Sequence, residues 1–112
     1  MNNLNTSLED VSLIIATYNE EESLPFVLNE IKDYNFGEII VVDGNSTDNT
    51  ELVAKEYGAI FIKQNDKGWG SAVMQGFSKS KSKFITYMDG DGSYNPTAIL
   101  EMKSLIENYD VI

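Results

Sequence analysis

Asp89 and Asp91 are the residues most able to do chemistry: two carboxylates flanking Gly90, at the end of the apolar, β-favouring run Phe84-Ile85-Thr86-Tyr87-Met88. Hard oxygen donors at this spacing suit a divalent cation, Mg²⁺ or Mn²⁺, held by few carboxylates and completed by phosphate oxygens. Glycine between them lets a ligand approach the backbone. The alternative is a turn that uses Asp and Gly only for their backbone angles. A calcium loop fails, because Tyr94 stands where its glycine is required and Leu100 where its closing glutamate is required.

Three other polar clusters accompany this pair. Thr17-Tyr18-Asn19-Glu20 offers a hydroxyl, a ring able to stack on a base, and a carboxylate. Asp43 could accept hydrogen bonds from a base N–H or ribose hydroxyls, or else cap the turn Gly44-Asn45-Ser46-Thr47. Lys67, Gly68 and Gly70 place a cation and two permissive residues just before a helix, a combination suited to an anion. They do not form a dinucleotide fingerprint, since Val73 occupies the third glycine position, and no GxxxxGK loop exists.

Composition narrows the chemistry further. The 112 residues contain neither Cys nor His, so thiolate nucleophiles, imidazole bases and the usual zinc sites are excluded. Eight Lys, no Arg and 18 acidic residues leave a net charge of -10, which repels a phosphate backbone and argues against nucleic acid as a partner. A phosphorylated ligand would then need a bound metal to offset its charge. The first ten residues form a polar tail without signal-peptide features, and no apolar stretch is long enough to span a bilayer, so a soluble, cytoplasmic domain is expected.

The elements that must position these clusters alternate strand and helix. Val11–Ala16, Glu38–Val42, Ala59–Lys63 and Lys83–Met88 read as strands. Asn19 with Glu22 resembles a capping box for a first helix with Leu24, Val27, Leu28 and Ile31 inward, although Pro25 moves its regular start toward Ser23. Asp48 with Glu51 opens a second helix, with Leu52 and Val53 on its face and Gly58 at its end; a third covers Ser71–Ser78. Asn95 and Pro96 open a last helix with Ile99, Met102 and Ile106 inward, and Asp110–Ile112 reads as the start of a fifth strand. This order predicts an α/β fold: a three-layer, mainly parallel sheet with helices on both faces, occupying residues 11–112 as one domain. In such a sheet the ligand crevice lies beyond the carboxyl ends of the strands, and all four polar clusters leave from that edge.

Taken together, VSLIIATYNEEESL, EIIVVDGNSTDNT, KGWGSAVMQGF and FITYMDGDGSYNP resemble the family 2 glycosyltransferases of the GT-A (nucleotide-diphospho-sugar transferase-like) fold. The resemblance is especially to the branch that includes the dolichyl-phosphate mannose and polyprenyl-phosphate sugar synthases, from which the chain departs at Met74, where that branch often has Arg. The resemblance implies that Thr17, Tyr18, Glu20, Asp43, Lys67, Gly68, Gly70 and Asp89 line a nucleotide pocket. It implies that Asp89 and Asp91 hold Mg²⁺ or Mn²⁺ against the diphosphate of a UDP- or GDP-linked sugar. The acceptor would be a lipid phosphate such as a polyprenyl phosphate.

Members of the family continue into an acceptor-binding half, often with a carboxylate general base, so no catalytic residue is assigned in this sequence. The expectation is therefore a truncated, donor-binding portion, inactive by itself, whose unfinished sheet edge favours a homo-oligomer. Two other readings remain open. One is a non-catalytic nucleotide-binding fragment. The other is a haloacid-dehalogenase-like phosphatase, whose DxDG[TS] pattern is matched by Asp89 to Ser93 with Asp89 as nucleophile.

Overall fold

A computed structural model describes residues 8–82 and 84–90. Within them the chain forms β1 (Val11–Thr17), α1 (Leu24–Ile31), a 3-10 turn (Lys32–Tyr34), β2 (Glu38–Asp43), α2 (Thr50–Glu56), β3 (Ile60–Lys63), α3 (Trp69–Lys79) and β4 (Phe84–Asp89). The four strands are all parallel in the order β3-β2-β1-β4. The central strands β1 and β2 are the buried ones, as their near-continuous apolar runs require, while β3 and β4 at the edges are only partly buried. Leu13, Ile15, Val41 and Met88 meet α1 and α2 on one side, while Ile14, Ile40 and Val42 meet Ala72 and Phe77 of α3 on the other. The expected helices on both faces are present.

Two glycines have structural reasons to be glycine. Gly58 has φ +80° after α2 and donates its N–H to the Lys55 carbonyl, while Ala59 donates to the Ala54 carbonyl. That pair of bonds is the Schellman ending, which needs a left-handed residue at this position. Gly76 lets α3 lie directly on β1, since a Cβ there would come within 2.5 Å of Ile14 Cγ2.

Some local expectations give way to tertiary contacts. Asn19 is not the cap of α1: it has φ 53°, and its side-chain oxygen accepts the N–H of Thr47 at 2.8 Å. Ser23 takes the cap position, also without a side-chain cap bond, and Pro25 falls in the first turn. Leu52 is 61% exposed, because α2 buries Thr50 and Ala54 and Leu52 lies about half a turn away from them. The third helix is longer than expected at both ends.

The polar tail ends in a packed residue, Leu8, which is fully buried and donates to the Tyr34 carbonyl at 2.9 Å. The helix expected from Asn95, the fifth strand at 110–112, Asp91 and Lys83 lie outside the described residues. No helix among the described residues is long and apolar enough to cross a membrane.

Candidate functional site

Strand register brings the carboxyl ends of the sheet level with one another. Thr17 pairs with Asp43, Asp43 with Lys63, and Ala16 with Asp89. The loops leaving β1, β2 and β3 enclose a cavity of about 450 Å³. Tyr18 and Glu20 line it from β1, and Gly44 and Asn45 from β2. Gln64, Asp66, Lys67 and Gly68 line it from β3, with Ala72 of α3 behind them. Tyr18 is 62% exposed, leaving a ring face open at the rim.

Beneath this cavity lies a buried carboxylate. Asp43 is only 3% exposed and accepts the Thr17 hydroxyl at 2.7 Å, the Ser46 N–H at 2.8 Å and the Ser46 hydroxyl. Those donors leave the charge satisfied without a cation, as a buried carboxylate requires. The result ties the end of β1 to the turn after β2. Gly44 reinforces the tie by donating its N–H to the Thr17 carbonyl at 2.9 Å.

The end of β4 is held in the same manner. Gly90 donates its N–H to the Ala16 carbonyl at 3.0 Å, and its own carbonyl accepts the Ser23 hydroxyl at 2.7 Å. That hydroxyl also lies 3.0 Å from Glu20 Oε2. A Cβ at Gly90 would meet Thr17 Cγ2 at 2.9 Å and Glu20 Cγ at 3.4 Å, so only glycine lets the end of β4 pack this closely against the β1 loop.

On the far side, α3 begins at Gly68 with φ 98° and no side-chain cap bond. The first N–H groups of a helix have no partner within it, so this end favours an anion, with Lys67 adjacent. The loop before it is braced. Gln64 Nε2 donates to the Gly68 carbonyl at 2.6 Å, while Gln75 spans Asn65 N–H and the Lys63 carbonyl at 2.8 and 2.7 Å.

Residues 12–112 match the family model described as Glycosyl transferase family 2. The chain belongs to glycosyl transferase family 2. Among curated members it is 34% identical to the glycosyltransferase AglJ of Haloferax volcanii over 102 residues, covering 89% of this chain and 34% of that protein. It is 35% identical to the dolichol-phosphate mannosyltransferase of Pyrococcus furiosus over 106 residues, covering 88% and 30%. The chain thus spans about a third of the length of these relatives.

In fold it is similar to glucosyl-3-phosphoglycerate synthase from Mycobacterium tuberculosis in complex with UDP. The TM-score is 0.68 at 25% identity, covering 72% of this chain and 33% of that one. The same enzyme with Mn²⁺, UDP and glucosyl-3-phosphoglycerate gives a TM-score of 0.67 at 24% identity, covering 71% and 33%. These neighbours share the GT-A architecture expected from the sequence. Family 2 membership also removes the phosphatase reading: Asp89 ends the fourth strand of a glycosyltransferase sheet.

Of the residues expected to form the family 2 site, Thr17, Tyr18, Glu20, Lys67 and Gly68 line the cavity together. Asp43 lies beneath it, and Gly70 is on α3 but not among the described lining residues. Asp89 is level with Ala16, a lining residue, and Asp91 lies outside the described residues. Sequence reasoning missed Asn45, Gln64 and Asp66. Gln64 carried a usable signal as the first residue beyond β3, at the same sheet edge as every other site residue.

Proposed function

We propose that this chain forms the donor-binding part of a metal-dependent glycosyltransferase that takes a nucleotide-linked sugar, with a polyprenyl phosphate as acceptor. The observation that carries this reading is the single cavity formed by the loops after β1, β2 and β3, level with the end of β4. Its volume falls within the roughly 300–1,000 Å³ of small-ligand sites. Tyr18 offers a face for the base, while Lys67 and the start of α3 offer donors to phosphate oxygens. The complex of the mycobacterial neighbour with Mn²⁺ and UDP supports the donor and metal classes. The name of the Pyrococcus relative supports the acceptor.

The residues present fit a hard cation. Asp89 and Asp91 are oxygen donors, and the close packing of Gly90 on Thr17 and Glu20 brings the end of β4 against the β1 loop that lines the cavity. Asp89 and Asp91 would hold the metal, which when bound stabilises charge on the departing nucleoside diphosphate as the bond between the sugar and the diphosphate breaks. Glu20, Gln64 and Asn45 complete the lining of the pocket.

Calorimetric titration with UDP and GDP, each with and without Mn²⁺, tests this on the wild type and on Asp91→Asn. At least one nucleotide should bind with Mn²⁺ and lose about tenfold or more in affinity without metal or in the variant, a difference of about 1.4 kcal/mol. Affinity indifferent to both changes would sink the reading.

A further inference from the structure

Thr50 has no place on the cavity wall, yet it is a fully buried polar side chain at the start of α2. Its hydroxyl accepts the N–H of Glu20 at 2.9 Å and donates to Asp48 Oδ1. Asp48 Oδ1 also accepts the Thr50 N–H at 3.0 Å, and its other oxygen accepts the N–H of Glu21 at 3.2 Å. Glu21 answers with a carboxylate oxygen 3.2 Å from the Asn49 N–H. One residue earlier, the Asn19 N–H donates to the Ser46 hydroxyl at 2.7 Å.

Three consecutive backbone N–H groups of the β1 loop, at residues 19, 20 and 21, therefore end on side chains of the β2 loop or of α2. Local bonds reach only Glu20, whose carbonyl accepts the Leu24 N–H and whose carboxylate accepts the Ser23 hydroxyl, while Asn19 has φ 53° and α1 has no side-chain cap bond. From these contacts we infer that Thr50 and Asp48 are positioning residues for donor binding: they lock the backbone of residues 19–21 so that Tyr18 and Glu20 present their side chains to the cavity. This rests on the proposed nucleotide site. A buried hydroxyl relaying between a backbone N–H and a carboxylate has a sharp energetic signature, because its removal strands the N–H and takes one donor from Asp48.

Thr50→Val keeps the shape and deletes the relay, while Thr50→Ser keeps the hydroxyl. The whole chain is titrated with UDP and GDP in Mn²⁺, well below each variant's melting temperature, and amide exchange is followed over residues 18–21. Ile31→Val serves as a destabilised control, since it trims a buried side chain at the far end of α1. Thr50→Val should weaken binding about tenfold and speed exchange at residues 19–21, as expected when both hydrogen bonds of the Thr50 hydroxyl are lost, with Thr50→Ser staying within about twofold of wild type.

If Thr50→Val does not fold, Asp48→Asn replaces it, with the same expected losses. Wild-type affinity and unchanged exchange in the relay variant would overturn the inference, as would an equal loss of affinity in Ile31→Val. If the wild type binds neither nucleotide, the donor-site reading fails and the inference for donor binding fails with it. Exchange at residues 19–21 then reports only whether the lock itself exists.

Discussion

The individual side chains at this sheet edge divide into those that line the cavity and those that hold the loops around it. Asp43 belongs to the second group: its oxygens are occupied by Thr17 and Ser46, and it is nearly inaccessible. Asp48 plays a similar part nearer the surface. Loss of solvent pushes its pKa up, but the Thr50 hydroxyl and the N–H groups of Thr50 and Glu21 outweigh that and hold it below its ordinary value of 3.8. A depressed native pKa means that the unfolded chain binds more protons, so the contribution of Asp48 to stability is present above pH 3.8 and fades as pH falls through the native value. Denaturant unfolding at pH 7 and at stepwise lower pH should show this acid loss in the wild type and a shallower one in Asp48→Asn. Some slope will remain, since Glu38, bonded by the Lys81 N–H and the Ser12 hydroxyl, and Glu51, bonded by Lys55, are lowered in the same direction. An unchanged acid slope in the variant would contradict this role.

Among the elements, the sheet and α3 together decide where the site can be. Parallel strands place all their carboxyl ends on one edge, and register keeps Thr17, Asp43 and Lys63 level there. The cavity wall at Ala72 depends on α3 lying close to β1, which Gly76 permits. Gly76→Ala would bring helix propensity worth about 1 kcal/mol, but its Cβ would press on Ile14 Cγ2, part of a stiff β-branched side chain. Overpacking of this kind costs about 1–3 kcal/mol, so the clash wins. Chemical denaturation should find the variant less stable by about 1–2 kcal/mol. A more stable variant would show that α3 can lift from the sheet without cost.

For the whole molecule, a net charge of -10 in 112 residues sets up self-repulsion, and the Lys55–Glu51 pair on α2 is exposed and offsets little of it. Raising salt from about 10 mM to about 150 mM shortens the screening length from roughly 30 to roughly 8 Å, and the melting temperature should rise by a few degrees. A fall would mean that attractive pairs dominate. The same acidic balance raised the expectation of a bound metal, and apolar runs with their Gly and Asp stops made the βα alternation, the parallel sheet and the edge carrying Thr17, Tyr18, Glu20, Lys67 and Gly68 legible. These signals are local: each run and its stop lie within a few residues of one another. The inward turn of Asp43, the diversion of Asn19 from a helix cap to the Thr47 N–H, the cavity positions of Gln64 and Asn45, and the relay through Thr50 were decided only by the tertiary structure. The Asp43, Asn19 and Thr50 contacts join residues 26 to 30 apart in sequence, and they exist only once parallel pairing has laid the end of β1 beside the end of β2.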